Sequence, residues 1–129
     1  MQKILFIDDD RNYSDLYKER FEYSGYEVKQ LWRGEGAVDA IKQYEPDIIL
    51  LDIMLPGIPG DKVLDQIRND PQTKDTPVIV LTALLQDDEH IARIKAKAND
   101  YLVKIDLMPR DLVERVEEVI AQSKIQNRE

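Results

Sequence analysis

No cysteine occurs in this 129-residue chain. Its absence excludes disulfides, thiolate metal sites and cysteine nucleophiles, and it fits a reducing compartment. Long apolar runs are missing as well. The longest, Ile48 to Leu55, is broken by Asp52 and is far too short to span a bilayer. At the N-terminus, Lys3 precedes only four apolar residues before three acids, which does not read as a secretory signal. Basic residues are in deficit, 18 against 26 acidic, for a net charge of −8 at pH 7. Nucleic acid and anionic membrane both repel a net anion, so neither is an expected partner. A soluble, cytoplasmic protein is the expectation. The length suits one domain, able to bury roughly two-thirds of its unfolded surface without staples.

What is present is a regular alternation. Short apolar runs predict strands at Ile4–Ile7, Val28–Trp32, Ile48–Leu51, Val78–Leu81 and Tyr101–Val103. Two of them, IILL and VIVL, have no polar alternation, as expected of parallel strands covered on both faces. Helical spacing lies between them. Tyr13, Leu16, Tyr17 and Phe21 share a predicted face that Gly25 terminates. Ala37, Ile41 and Tyr44 predict a second helix, Val63, Leu64 and Ile67 a third, and Ile91, Ile94 and Ala98 a fourth. Leu112, Val113, Val116, Val119 and Ile120 predict a fifth, with Pro109 at its first position. The pattern makes an α/β domain with a five-stranded parallel sheet. It occupies residues 1–124, and the polar stretch 125–129 is expected to fray.

In such sheets ligands bind beyond the carboxyl ends of the strands. Asp8 and Asp9 follow the first predicted strand, Asp52 the third, Thr82 the fourth and Lys104 the fifth. If the three carboxylates converge, each pair at ~4 Å repels by about 4 kcal/mol at an effective dielectric near 20. A divalent cation removes that penalty, and an all-oxygen ligand set suits Mg²⁺ with phosphate oxygens. Lys104 and Thr82 supply a point charge and a hydroxyl for phosphoryl oxygens. One carboxylate remains as a nucleophile able to form an aspartyl phosphate. Taken singly, each residue has an ordinary role. Asp8, Asp9 and Asp10 fit helix capping, and Asp10 fits it best. Thr82 is a β-former and Lys104 a surface lysine. Asp52 is harder to place so, because burying it unpaired is costly.

The stretches ILFIDDD, PDIILLDIMLPGIPG, TPVIVLTA and NDYLVKI resemble the receiver domain of two-component response regulators, from Lys3 to about Gln122. The resemblance implies a flavodoxin-like, doubly wound sheet of order 2-1-3-4-5 with helices on both faces. It implies a signalling phosphoacceptor rather than an enzyme acting on a separate substrate. Asp52 resembles the phosphoacceptor. Asp8 and Asp9 resemble the acidic pair that holds Mg²⁺, and Met54 stands where a backbone carbonyl completes the metal site. Thr82 resembles the switch hydroxyl, and Ala83 the position whose backbone meets the phosphoryl group. Tyr101 stands at the aromatic switch and Lys104 at the phosphoryl-binding lysine, while Pro56 and Gly60 shape the loop after the acceptor. The implied partners are a sensor histidine kinase or phosphotransfer protein and a downstream effector. The effector would read a surface formed by the fourth helix, fifth strand and fifth helix. Homodimerisation through that face is compatible with the residues but not indicated by them. Nothing in the residues names the kinase, the effector or an output domain.

Two departures stand out. Ile105 follows Lys104 where the family usually has a cis proline, and a non-proline cis bond costs about 2.5–4 kcal/mol, so a trans peptide is expected. Met54 and Leu84, each two residues beyond Asp52 and Thr82, are bulky and apolar and predict slow hydrolysis of the phosphoryl group. Two other functions compete. A haloacid-dehalogenase-type phosphatase would use Asp8 and Asp10 as its D-x-D pair but leaves Asp52 unexplained. A binding module that keeps the fold without phosphorylation is the second. GEGAVD at 34–39 reads as a turn and helix start rather than a dinucleotide loop. His90 reads as a solvated surface residue, and Arg93, Lys95 and Lys97 as a solvated face.

Overall fold

The computed structural model describes residues 1–83 and 87–126. Five strands alternate with five helices: β1 Lys3–Ile7, α1 Arg11–Tyr23, β2 Glu27–Leu31, α2 Ala37–Tyr44, β3 Ile48–Asp52, α3 Gly60–Asn69, β4 Val78–Thr82, α4 Asp88–Lys95, β5 Asp100–Val103 and α5 Pro109–Gln126. A one-turn 3₁₀ helix, Lys104–Asp106, joins β5 to α5. The sheet order is β2-β1-β3-β4-β5, with every pair parallel. No helix among the described residues is long and apolar enough to cross a membrane.

The unalternated apolar runs are buried because both faces of the sheet are covered. Successive strand side chains point to opposite faces. Ile4, Phe6, Ile48, Leu50, Ile79 and Leu81 therefore pack with Tyr17 and Phe21 of α1 and Leu112, Val116 and Ile120 of α5. Leu5, Ile7, Ile49, Leu51, Val78 and Val80 pack on the other face with Ile41 of α2, Val63 and Ile67 of α3 and Ile94 of α4. Each fully buried side chain of this kind contributes roughly 1.5–3 kcal/mol. The two edge strands are the exceptions: only Val28 is buried in β2, and all four residues of β5 are half-buried.

The elements depart from the sequence expectation in detail. β2 begins at Glu27, which pairs with Lys3, and ends before Trp32. Leu16 is 60% exposed, because Ser14, Tyr17 and Phe21 occupy the buried stripe of α1. Ala98 lies past the end of α4 but still packs against the core. α5 runs through Ile125 to Gln126, since no helix breaker occurs in that stretch; residues 127–129 lie outside the described residues. Gly25, at φ +95°, closes α1 as expected. The Tyr26 amide reaches the Phe21 carbonyl and the Gly25 amide that of Glu22, both at 3.0 Å, the Schellman arrangement.

Arg68, near the end of α3, ties the far edge of the sheet together. Its guanidinium donates to the carbonyls of Lys97 (2.7 Å), Lys74 (2.9 Å) and Thr76 (2.7 Å) and to Asn99 Oδ1 (3.2 Å). Asn99 Oδ1 also accepts from the Val78 amide at 2.9 Å, so one side chain spans the approaches to β4 and β5. Arg68→Ala is expected to lower the unfolding free energy by about 1–3 kcal/mol, measured by urea denaturation. A loss below ~0.5 kcal/mol, the range of an ordinary surface substitution, would show that the staple is dispensable.

Candidate functional site

The site sits where the winding of the sheet reverses, between β1 and β3. Ile7 pairs with Leu51 in register, so the next residue of each strand, Asp8 and Asp52, meets its counterpart at the same edge. Both are buried, at 0% and 3% exposure. Asp8 Oδ1 accepts from the Asp10 amide at 2.9 Å, and Asp8 Oδ2 accepts from Lys104 Nζ at 2.7 Å. Asp52 Oδ1 accepts from the Met54 amide at 3.1 Å, and its Oδ2 lies 3.5 Å from the same Lys104 Nζ. Lys104 follows β5 directly, and its ammonium also stands 4.2 Å above the Tyr13 ring.

Asp9 completes the acidic group from an exposed position, and one oxygen each from Asp8, Asp9 and Asp52 lies within 4.8 Å of the others. At that separation each charged pair repels by about 3 kcal/mol at an effective dielectric near 20. One lysine does not balance three carboxylates. Burial pushes Asp8 up from 3.8 to about 6, against the hydrogen bonds from Lys104 and the Asp10 amide, while the Asp52 charge adds to the rise. Clustered carboxylates with only oxygen donors, one of them open to solvent, fit a hard divalent cation such as Mg²⁺.

The other expected residues take varied places. Thr82 ends β4 and is fully buried, while Ala83 beside it is exposed. Tyr101 lies half-buried in β5 with its hydroxyl shielded from solvent and without a hydrogen-bond partner among the described residues. Burial raises its pKa, and Lys95 Nζ stands 5.9 Å above its ring. Met54 is 48% exposed at the mouth of the site; Leu84 lies outside the described residues. Gly60 opens α3 so close to β3 that a Cβ there would overlap the Asp52 carbonyl and come within 2.7 Å of Ile53 Cα. No cis peptide occurs among the described residues, so Lys104–Ile105 is trans, with Ile105 pointing into solvent. Gly36, at φ +77°, starts α2, which makes GEGAVD the turn it resembled.

Some residues do not join the site. Asp10 caps α1 by accepting from the Tyr13 amide at 3.1 Å, so it does not pair with Asp8 as a phosphatase D-x-D would require. His90, expected on the solvated surface, is instead half-buried between α3 and α4. Its Nε2 lies 3.9 Å from Asp61 and its Nδ1 3.2 Å from Arg93. The first turn of α4 packs on α3 there, which periodicity alone did not reveal. Arg93, Lys95 and Lys97 are exposed, with Lys97 paired to Asp65. Tyr13 went unnoticed as a site residue. Its helical spacing marked it as core, and only the fold brings its ring under Lys104.

A family model described as the response regulator receiver domain matches residues 4–117. The DNA-binding dual master transcriptional regulator RpaA of Synechocystis sp. is 44% identical over 110 residues, which are 81% of this chain and 43% of that protein. The phosphate regulon transcriptional regulatory protein PhoB of Rhizobium meliloti is 32% identical over 124 residues, 96% of this chain and 54% of that one. The chain thus spans about half the length of these curated relatives. Among solved structures, a CheY-like receiver domain protein from Methanospirillum hungatei superposes with a TM-score of 0.87 at 25% identity, covering 98% of both chains. The BeF3-activated N-terminal receiver domain of Klebsiella pneumoniae RstA gives 0.82 at 32% identity, covering 92% of this chain and 98% of that one.

The raised Asp8 pKa carries a pH signature in metal-free protein. Below its unfolded value near 3.8, Asp8 is protonated in either state and its contribution is fully present. That contribution is lost as pH rises through about 6, where the folded chain comes to hold a desolvated charge. In metal-free buffer Asp8→Asn is therefore expected to exceed the wild type in stability at pH 8 by on the order of 1–2 kcal/mol. The difference should disappear near pH 4, read by chemical denaturation at both values. An Asn variant less stable than wild type at pH 8 would mean that the Lys104 bond outweighs desolvation.

Proposed function

For a chain that belongs to the response regulator receiver domain family, and so serves as a phosphoacceptor signalling domain of a two-component system, we propose that Asp52 is the phosphoacceptor. The observation that carries this is the sharing of Lys104 between Asp8 and Asp52 at the sheet edge. An Asp52 carboxylate oxygen attacks the phosphorus of the donor. The donor's P–N or P–O bond breaks, and its electron pair leaves with the donor group. Asp8 and Asp9, with Asp52 and the backbone carbonyl of Met54, would hold Mg²⁺, which when bound neutralises charge between the carboxylates and the phosphoryl oxygens. Lys104 turns from the carboxylates to a phosphoryl oxygen. The Thr82 hydroxyl and the Ala83 amide donate to the others. Catalysis here is positioning and charge compensation. The chain acts on its own aspartate, and its family is a signalling family rather than one of classical enzymes.

Phosphorylation adds roughly −1.5 to −2 charge. Thr82 moves toward it, and Tyr101 follows; a shielded Tyr101 hydroxyl without a hydrogen-bond partner among the described residues supports this. The readout is the surface of α4, β5 and α5. Response regulators interact with histidine kinases and downstream effectors; for this chain the donor would be a sensor kinase, a phosphotransfer protein or a small phosphodonor. A phosphatase of the D-x-D type finds no support.

Intact mass after incubation with acetyl phosphate tests the reading. One phosphoryl adduct is expected with Mg²⁺, and none with EDTA or in Asp52→Asn. Absence of the adduct in every condition would favour the phosphorylation-independent module. The adduct is also expected to be long-lived. Replacing Met54 and Leu84 together with small polar residues should shorten its half-life, followed by the decay of the adduct mass, and an unchanged half-life would remove the steric account.

A further inference from the structure

The loop that follows Asp52 is gripped from outside by the loop between β2 and α2. Gly34 lies so close that a Cβ on it would stand 2.5 Å from Val63 Cγ2 and 3.0 Å from the Ile58 carbonyl oxygen. The next residue, Glu35, lays its carboxylate over Gly57. A Cβ on Gly57 would overlap Glu35 Oε1 and come within 3.0 Å of Cδ. Gly57 also has φ +72°, a conformation that itself favours glycine. The carboxylate is held below the usual range by hydrogen bonds from its own amide, from Arg33 and from the Ile58 amide. We propose that Glu35 is a positioning residue for the acidic site: its carboxylate clasps the Gly57–Ile58 backbone and holds in place the segment that carries Asp52 and the Met54 carbonyl. This rests on the Asp52 and Mg²⁺ reading above.

The ends of that segment are already secured. The Ile53 amide donates to Leu81 at 3.2 Å, and the Gly60 amide to the Ile53 carbonyl at 2.9 Å. Between them, Leu55 is buried and Ile58 is half-buried against the core. Among the described residues, the Ile58 amide meets its partner across the gap, in Glu35. Arg33 does not account for the placement, because an exposed Arg–Glu pair, here 3.3 Å apart, contributes little by itself. A metal-binding carbonyl must stay within about 0.5 Å of its productive position. A loop that samples other conformers binds more weakly in proportion to the time it spends away.

Calorimetric titration of Mg²⁺ into wild type, Glu35→Ala, Glu35→Gln and Arg33→Ala tests this, beside thermal midpoints in EDTA. Glu35→Ala is expected to weaken Mg²⁺ binding about threefold to tenfold. Glu35→Gln should fall between, since its amide oxygen still accepts from Ile58, and Arg33→Ala should stay within about twofold. A purely structural role would lower the midpoint and leave Mg²⁺ affinity unchanged. Glu35→Ala binding within about twofold of wild type overturns the proposal and leaves the acidic site intact. Wild type that binds no Mg²⁺ overturns both.

Discussion

Two carboxylates that must remain usable as charges, at the end of an apolar sheet, set the terms for everything near them. Asp8 and Asp52 are buried, and burying a charge is costly unless it is paired. The fold offsets this with a single ammonium shared between them, with one backbone amide donated to each and with an open side where Asp9 meets solvent. The compensation is incomplete, as the upward shift of Asp8 records. A site left short of positive charge is one that gains from a divalent cation.

That requirement explains which parts of the molecule are tightly built. β3 and β4 are buried throughout, and β1 from Ile4 on, and they carry Asp8, Asp52 and Thr82 at or just past their ends. β5, which carries Tyr101 and leads into Lys104, is a half-buried edge strand. The acidic centre is thus mounted on the buried middle of the sheet, and Tyr101 on one of its two less buried edge strands. Arg68 pins the start of β4 and the turn before β5. At the carboxyl end Tyr101 has a shielded hydroxyl without a hydrogen-bond partner among the described residues.

Much of this was legible in the residues. The apolar runs and the 3.6-residue spacing specified five strands and five helices, because burial on two faces leaves few polar positions to confuse the pattern. The site was legible for the same reason. An Asp inside IILLDIML is costly to bury unpaired, and acids, a threonine and a lysine all fall at predicted strand ends. What escaped the pattern were contacts between elements. Leu16 has the spacing of a core residue yet faces water, Tyr13 underlies Lys104, and His90 lies against Asp61 rather than in solvent.

The sequence by itself determined the types of group, their order along the chain and the edge of the sheet to which they belong, since alternation and strand ends are local properties. Only the tertiary structure decided distances. The register Ile7↔Leu51 brings Asp8 and Asp52 to one level, and the crossover that places β5 beyond β4 returns Lys104 to reach both. It also lays Glu35 across Gly57, two loops that no periodicity connects. Such contacts depend on how whole elements pack, because a side chain's neighbours across a sheet are chosen by topology and register and not by the residues on either side of it.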